Sequence, residues 1–271
     1  MNFEKEESSL LEAAIRYAKD AGQLIRERMN GIQVIEMKKN RSDLVTEVDR
    51  YSEEFLRRII HREYPEHWIL SEEDNGQADS FQAFVEKGPG CGWIIDPIDG
   101  TTNFIHGIPH FAVSIGIVRE WAPIVGVVYN PVTDELFYAR KNAGAFRNGE
   151  KITVSAADCM EDALLATGFQ ALEWKPDTRL LKQMNALTGT CRSFRLLGAA
   201  SLDLCWTASG QLTGFWHDGL HPWDAAAGIV IVREAGGKVT NRDGAPYSLR
   251  DNTLVASNSR IHEEFLAVIT R

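Results

Sequence analysis

The residues of this chain best suited to chemistry are acids that stand where short apolar runs end. Glu72 and Glu73 follow Trp68-Ile69-Leu70, Asp96 and Asp99 follow Trp93-Ile94-Ile95, and Asp224 follows Trp223 at the start of a helical stretch. Asp43 and Asp49 flank the beginning of another helix. Carboxylates at strand ends can converge on one crevice, and hard cations such as magnesium take oxygen ligands of this kind. The run Asp96-Pro-Ile-Asp-Gly-Thr-Thr adds a second capability. Pro97 fixes the backbone between two acids, so both can present oxygen to one site. Gly100 permits a positive φ or a close approach of the main chain. If Gly100, Thr101 and Thr102 open a short helix, their N–H groups form a cradle for an anion. Cations beside such donors make a phosphoryl site.

Each part also has a structural reading. Asp-Gly is a common turn dipeptide and Asp-Pro often starts a loop. Glu72-Glu73 reads equally as a solvated acidic edge, and Asp224 as an acid stabilised by a helix dipole. Thr46 reads as a helix cap rather than a catalytic hydroxyl.

Elements must position these groups. Leu10, Leu11, Ala14, Ile15, Ala18, Ala21, Leu24 and Ile25 recur at helical spacing, with Gly31 as a stop. A second helix begins near Thr46, where Thr46-x-x-Asp49 has the form of a capping box; its apolar face carries Tyr51, Phe55, Ile59 and Ile60. Strands follow at 68–70, 93–95, 111–118, 124–129 and 135–139, and Asn148-Gly149 marks a hairpin turn. The second half alternates. Residues 176–187, 199–209 and 222–235 read as helices, and 194–196, 214–216, 238–240 and 254–256 as strands. An antiparallel first part and an alternating second predict an α+β chain of layered sheets and helices. No linker interrupts it, so one domain spans 1–271, with subdomains of about 1–155 and 156–271.

Composition narrows the partners. The 271 residues carry a formal charge of -9, with 44% hydrophobic and 25% charged residues, and no Lys/Arg-rich stretch. A general nucleic-acid groove is excluded, because phosphate backbones demand clustered cations. An acidic protein can still handle a phosphate ester if bound cations invert the local field. Residues 1–9 are acidic and polar, without signal-peptide character, and no apolar run approaches the ~20 residues needed to cross a bilayer. Cys91, Cys159, Cys191 and Cys205 are scattered with no C-x-x-C pair, which argues against structural zinc and a disulfide framework and for a reduced cytoplasm.

The run Trp93-Ile-Ile-Asp96-Pro-Ile-Asp99-Gly-Thr-Thr-Asn-Phe104 resembles the first signature of the inositol monophosphatase family, and Pro222-Trp-Asp224-Ala-Ala-Ala-Gly228 followed by Glu234-Ala-Gly-Gly237 resembles its second. Asp43-Leu-Val-Thr-Glu-Val-Asp49 and Ser71-Glu72-Glu73 match two further segments in order and spacing, so the likeness extends over essentially the whole chain. It implies a layered α-β-α-β-α sandwich of the inositol monophosphatase and fructose-1,6-bisphosphatase type, usually a homodimer. Carried over, it assigns Glu72, Asp96, Asp99, Asp224 and the Ile98 carbonyl to two or three Mg²⁺ ions. Asp49, Thr101 and Glu72 would activate the attacking water. Asp99, Gly100, Thr101, Ala200, His217 and Asp224 would contact the substrate. The implied reaction is direct in-line hydrolysis of myo-inositol monophosphate or a related polyol phosphate, with the family's lithium sensitivity.

One position departs from the pattern. Where the family's inositol-binding members carry Glu, the stretch from Phe215 to Asp224 has His217, which alters the charge facing ring hydroxyls. His106 and His110 are expected at the rim or in structural roles, and Trp206, Trp216 and Trp223 in packing. The same resemblance admits a fructose-1,6-bisphosphatase, NADP phosphatase, histidinol-phosphate phosphatase or nucleotide 3′-phosphatase. It also admits a regulatory binding protein that keeps the fold and acts through RNA polymerase or RNA.

Overall fold

The computed structural model describes residues 3–29, 35–37, 44–75, 80–170 and 175–270. Gly31, Lys38, Lys39 and Asp43 lie outside them.

Helix α1 (Phe3–Arg28) buries Leu10, Ala13, Ala14, Tyr17, Ala18, Ala21 and Ile25 along one stripe, as the spacing demands. A small antiparallel pair, β1 (Ile35–Met37) and β2 (Leu44–Thr46), leads into α2 (Glu47–Glu63). Thr46 caps α2 in a capping box with Asp49. The buried face of α2 is rotated from the expected one: Val48, Ser52, Leu56 and Ile60 point inward, while Tyr51 is half exposed. Asp49 and Glu53 share that inner face, and these two buried acids turn the helix toward the site.

Next come β3 (Trp68–Ser71), α3 (Glu72–Asn75), α4 (Ser80–Glu86), β4 (Cys91–Asp99) and α5 (Thr101–Ile105). The strands β5 (Ala112–Arg119), β6 (Ala122–Asn130), β7 (Glu135–Arg140), β8 (Ala145–Arg147) and β9 (Glu150–Ile152) complete a seven-stranded sheet in sequential order. Only the β3–β4 pair in it is parallel. Asn148 and Gly149 both take positive φ, as the tight hairpin requires.

The second half contains β10 (Leu164–Thr167), α6 (Arg179–Leu187), β11 (Ser193–Leu196), α7 (Ala200–Ala208), β12 (Gly214–Asp218), α8 (Pro222–Glu234), β13 (Lys238–Thr240), β14 (Thr253–Ser257) and α9 (His262–Ile269). Its five strands pair in the order β11-β10-β12-β14-β13. The sequence pattern missed β10 and α9.

Alternation along β4 sets the layers. Trp93 and Ile95 face α1 and α2, whereas Ile94 faces α7 and α8. The other side of α7 and α8 meets Ala166, Phe215, Leu254 and Ala256 of the smaller sheet, whose far face packs Leu165, Trp216 and Val255 against α6 and α9. The result is an α-β-α-β-α sandwich, as expected.

Two glycines let α8 sit unusually close to the large sheet. Gly116 and Gly126 are cross-strand partners on β5 and β6. A Cβ on Gly116 would fall 2.5 Å from Ala226 Cβ, and one on Gly126 would fall 2.2 Å from the Ala227 carbonyl oxygen. The clash at Gly126 is with helix backbone, so it cannot be relieved by a side-chain rotation. Gly126→Ala should therefore lift α8 and lower stability by about 1–3 kcal/mol. A urea-denaturation midpoint equal to that of the unsubstituted protein would show that the approach is not tight.

Candidate active site at the end of β4

Residues three apart on a regular strand point to opposite faces. Asp96 and Asp99 escape this because β4 carries a bulge: Asp96 pairs with Ser114 and Asp99 with Ala112, so one extra residue lies on β4. Pro97, which lacks an N–H, sits in the bulge where no ladder bond is required. Both acids then face the α7–α8 layer, while Ile98 is buried toward α1 and α2.

Register brings in Glu72. Ser71 of β3 pairs with Ile95, so Glu72, as the chain leaves β3, comes beside Asp96 on β4. Asp224 arrives from the first turn of α8, after Pro222 at the helix start. Asp96 is buried, and its carboxyl is held well above the ordinary carboxylate range by desolvation, by the charges of Glu72, Asp99 and Asp224, and by a hydrogen bond to Glu72. The four acids foreseen as ligands are thus electrostatic neighbours.

Three of the acids are also tied to the chain. Asp96 Oδ1 accepts from the Ile98 N–H at 3.0 Å, and Asp224 Oδ2 from the His221 N–H at 2.7 Å. Asp99 caps the start of α7 from another element, accepting from Ala200 N–H (3.3 Å), Ser201 N–H (2.7 Å) and Ser201 Oγ (2.5 Å). Burial raises the Asp99 pKa to about 6, although the Ser201 donors and His110 pull it down. Among the described residues, no three acidic, histidine or cysteine side chains close around one point. The carboxylates are turned onto backbone donors and stand beside one another instead of forming a finished cage.

A second group lies on the α2 side. Thr101 Oγ1 donates to Asp49 Oδ1 at 3.2 Å and lies 3.1 Å from the Ile98 carbonyl. Asp49 Oδ2 accepts from the Thr46 N–H at 2.9 Å and from the Thr46 hydroxyl. Gly100, at φ 93°, turns the chain from β4 into α5 and leaves the first N–H groups of that short helix without intrahelical partners. A Cβ at Gly100 would also lie 3.1 Å from the His110 carbonyl oxygen.

A cleft of about 180 Å³ opens beside the acids, lined by Asp99, Asp224, Ala200, Asp203, His217, Phe169, Phe215 and Leu220, among others. His217 is buried, desolvation lowers its pKa to about 4, and its Nδ1 has no hydrogen-bond partner among the described residues. A neutral imidazole therefore lines the cleft, with its Nδ1 closed off from solvent.

Sequence reading missed Ser201 and the Asp203–His110 pair, whose Oδ1 and Nε2 are 3.3 Å apart. Burial lifts Asp203 to about 6, and His110 partly offsets it. Ser201 and Asp203, in the first turn of α7, were the available signal, as helix-start polar residues next to Ala200. The three tryptophans pack as expected: Trp216 and Trp223 are buried, and Trp206 lies edge-on to His110.

The two sheets of the layered sandwich thus flank an acid-lined cleft. Residues 6–271 match the model of the inositol monophosphatase family. The inositol-1-monophosphatase of Synechocystis sp. is 42% identical over 94% of this chain and 86% of its own. The Nus factor SuhB of Escherichia coli is 38% identical over 95% of this chain and 94% of its own. Among solved structures, the inositol monophosphatase of Anabaena superposes with a TM-score of 0.84 at 34% identity, covering 97% of this chain and 96% of that one. An IMPase/NADP phosphatase complexed with Mg²⁺ and phosphate superposes at 0.83 with 26% identity, over 97% and 95%. The chain belongs to the inositol monophosphatase family.

The burial of His217 has a thermodynamic signature. Its pKa falls on folding from 6.5 to about 4, so between those values the unfolded chain binds a proton that the native chain refuses. Stability from this residue is full above pH 6.5 and is lost as the pH falls toward 4. Relative to His217→Gln, the wild type should lose on the order of 2–3 kcal/mol between pH 7.5 and 4.5. Parallel stability curves for the two proteins over that range would contradict the buried, neutral assignment.

Proposed function

We propose that this chain is a Mg²⁺-dependent phosphomonoesterase acting on a small polyol or sugar phosphate, with myo-inositol monophosphate the foremost substrate. The observation that carries it is the convergence of Glu72, Asp99 and Asp224 on the buried Asp96, which feels the charge of all three. Like charges gathered in a buried place fit a hard divalent cation, which takes oxygen ligands and removes the repulsion. Glu72, Asp96, Asp99, Asp224 and the Ile98 carbonyl would hold two or three such ions. Bound there, Mg²⁺ supplies charge neutralisation at the phosphate and acidifies a water.

The remaining work falls to the chain. Asp49, already the acceptor of the Thr101 hydroxyl, can take up the proton that Thr101 passes from the attacking water. The N–H groups after Gly100 receive phosphate oxygens. Ala200 and His217 line the part of the cleft that would receive the alcohol portion. A homodimer in the cytoplasm accords with the family. Among the described residues no helix is long and apolar enough to cross a membrane. A second, regulatory role through a partner is favoured by one observation: several relatives of nearly equal length bear the name Nus factor SuhB.

Phosphate release should be measured with inositol 1-phosphate, fructose 1,6-bisphosphate, NADP, histidinol phosphate and a nucleoside 3′-phosphate, each with and without Mg²⁺. The expected result is the highest kcat/KM on the inositol ester and none without the ion. Asp96→Asn should lower kcat/KM at least about a hundredfold, roughly 3 kcal/mol of barrier. It should leave metal-free stability equal or higher, because one of several mutually repelling buried charges is gone. Hydrolysis that persists in Asp96→Asn, or that ignores Mg²⁺, would defeat the proposal. Asp99→Asn is the less clean variant, since Asp99 also caps α7 through three donors.

A further inference from the structure

Glu72 occupies an insecure place. It is the first residue of α3, a helix of only four residues that cannot hold itself by its own hydrogen bonds. Ser71 pairs with Ile95 in the parallel β3–β4 register, so Glu72 comes beside Asp96 and its place depends on how the chain leaves β3. Some outside contact has to fix the backbone that carries it.

Glu53 supplies that contact from α2. Its side chain is buried on the inner face of the helix. Oε1 accepts from the Ser71 hydroxyl at 2.8 Å, and Oε2 accepts from the Glu73 N–H at 2.8 Å. One carboxylate thus grips the residue before Glu72 and the residue after it, one oxygen to each. The Glu73 N–H lies in the first turn of α3, where it has no partner within the helix, and Glu53 caps it from a distance. Arg57, one turn along α2, donates Nη1 to Ser71 Oγ at 3.1 Å and strengthens the same anchor. Ser71 is in turn locked to Ile95 by the parallel register of β3 and β4.

We propose that Glu53 is a positioning residue for Glu72: by bracketing it through Ser71 and Glu73, it fixes the side of the site that adjoins Asp96. The proposal rests on the reading of Glu72 as a Mg²⁺ ligand. Partners behind a metal ligand commonly change metal affinity by about 10–100-fold when removed, and Glu53 is placed to act in that way without touching the ion or the substrate.

The test is direct Mg²⁺ binding by isothermal titration calorimetry, read beside the thermal midpoint, kcat and the Mg²⁺ concentration for half-maximal phosphate release. Glu53→Ala should raise the Mg²⁺ Kd about tenfold or more, with a much smaller fall in kcat at saturating Mg²⁺. Glu53→Gln keeps one acceptor oxygen and should fall between it and the wild type. Ser71→Ala should shift Kd in the same direction, and Glu54→Gln, on the exposed neighbour of Glu53, should not move it. An unchanged Kd in a folded Glu53→Ala would overturn the proposal. If that variant fails to fold, unchanged Kd values in both Glu53→Gln and Ser71→Ala would overturn it. A wild-type protein that binds no Mg²⁺ would overturn the function reading as well, and that result is distinct because it needs no substitution.

Discussion

Negative charges brought close together repel one another, and much of this fold serves to hold four of them so, with Asp96 and Asp99 buried and Glu72 and Asp224 half-buried. Asp96 feels Glu72, Asp99 and Asp224 at once. Asp224 stays near the others because α8 is pressed into the dimple made by Gly116 and Gly126. On its opposite side α8 meets α7, where Gly228 leaves room for Leu204. Small residues on α8, Ala225 to Gly228, are therefore a distance setting: they decide how near its first turn comes to the end of β4. Core packing supplies the free energy that the electrostatics oppose.

Backbone donors do the local restraining. Asp99 takes the start of α7, where unpaired N–H groups and the helix dipole favour an anion. Asp224 takes the His221 N–H ahead of α8, and Asp96 the Ile98 N–H in the bulge. These bonds orient each carboxylate while satisfying only part of its capacity to accept, since a carboxylate has about four lone-pair sites. Oxygens remain available for a cation. The acids stand beside one another without closing into a cage among the described residues.

Much of this was legible in the sequence because its determinants are local. The capping box at Thr46 and Asp49, the Asn148-Gly149 hairpin, the Pro222 helix start and the acids at strand ends each announce themselves within a few residues. What escaped depends on contacts distant along the chain. The face of α2 was misjudged because hydrophobicity favoured Tyr51, whereas Asp49 and Glu53 are drawn inward by Thr101, Ser71 and Glu73. The strand at Leu164–Thr167 was invisible because four residues flanked by polar loops carry too little periodicity to register. The His110–Asp203 pair joins residues 93 positions apart, and no spacing rule reaches that far.

Reaction chemistry and substrate choice are built from different parts of the chain. The acids and the open helix start come from α3, β4, α5 and the first turn of α8. The opposite wall of the cleft includes Gly168, Phe169, Phe215, His217 and Leu220, on and around β10 and β12 of the other sheet. Gly168 is itself bound to this arrangement, since a Cβ there would lie 3.0 Å from His217 Nε2. Substitutions on that wall can alter which ester fits without disturbing the charges at the phosphate. On the proposed function, the identity of residue 217 would then bear on specificity more than the acids do, since the acids lie on the phosphate side of the cleft. A buried imidazole offers one uncharged hydrogen bond where a carboxylate would offer several charged ones, so recognition here leans on the shape of the cleft.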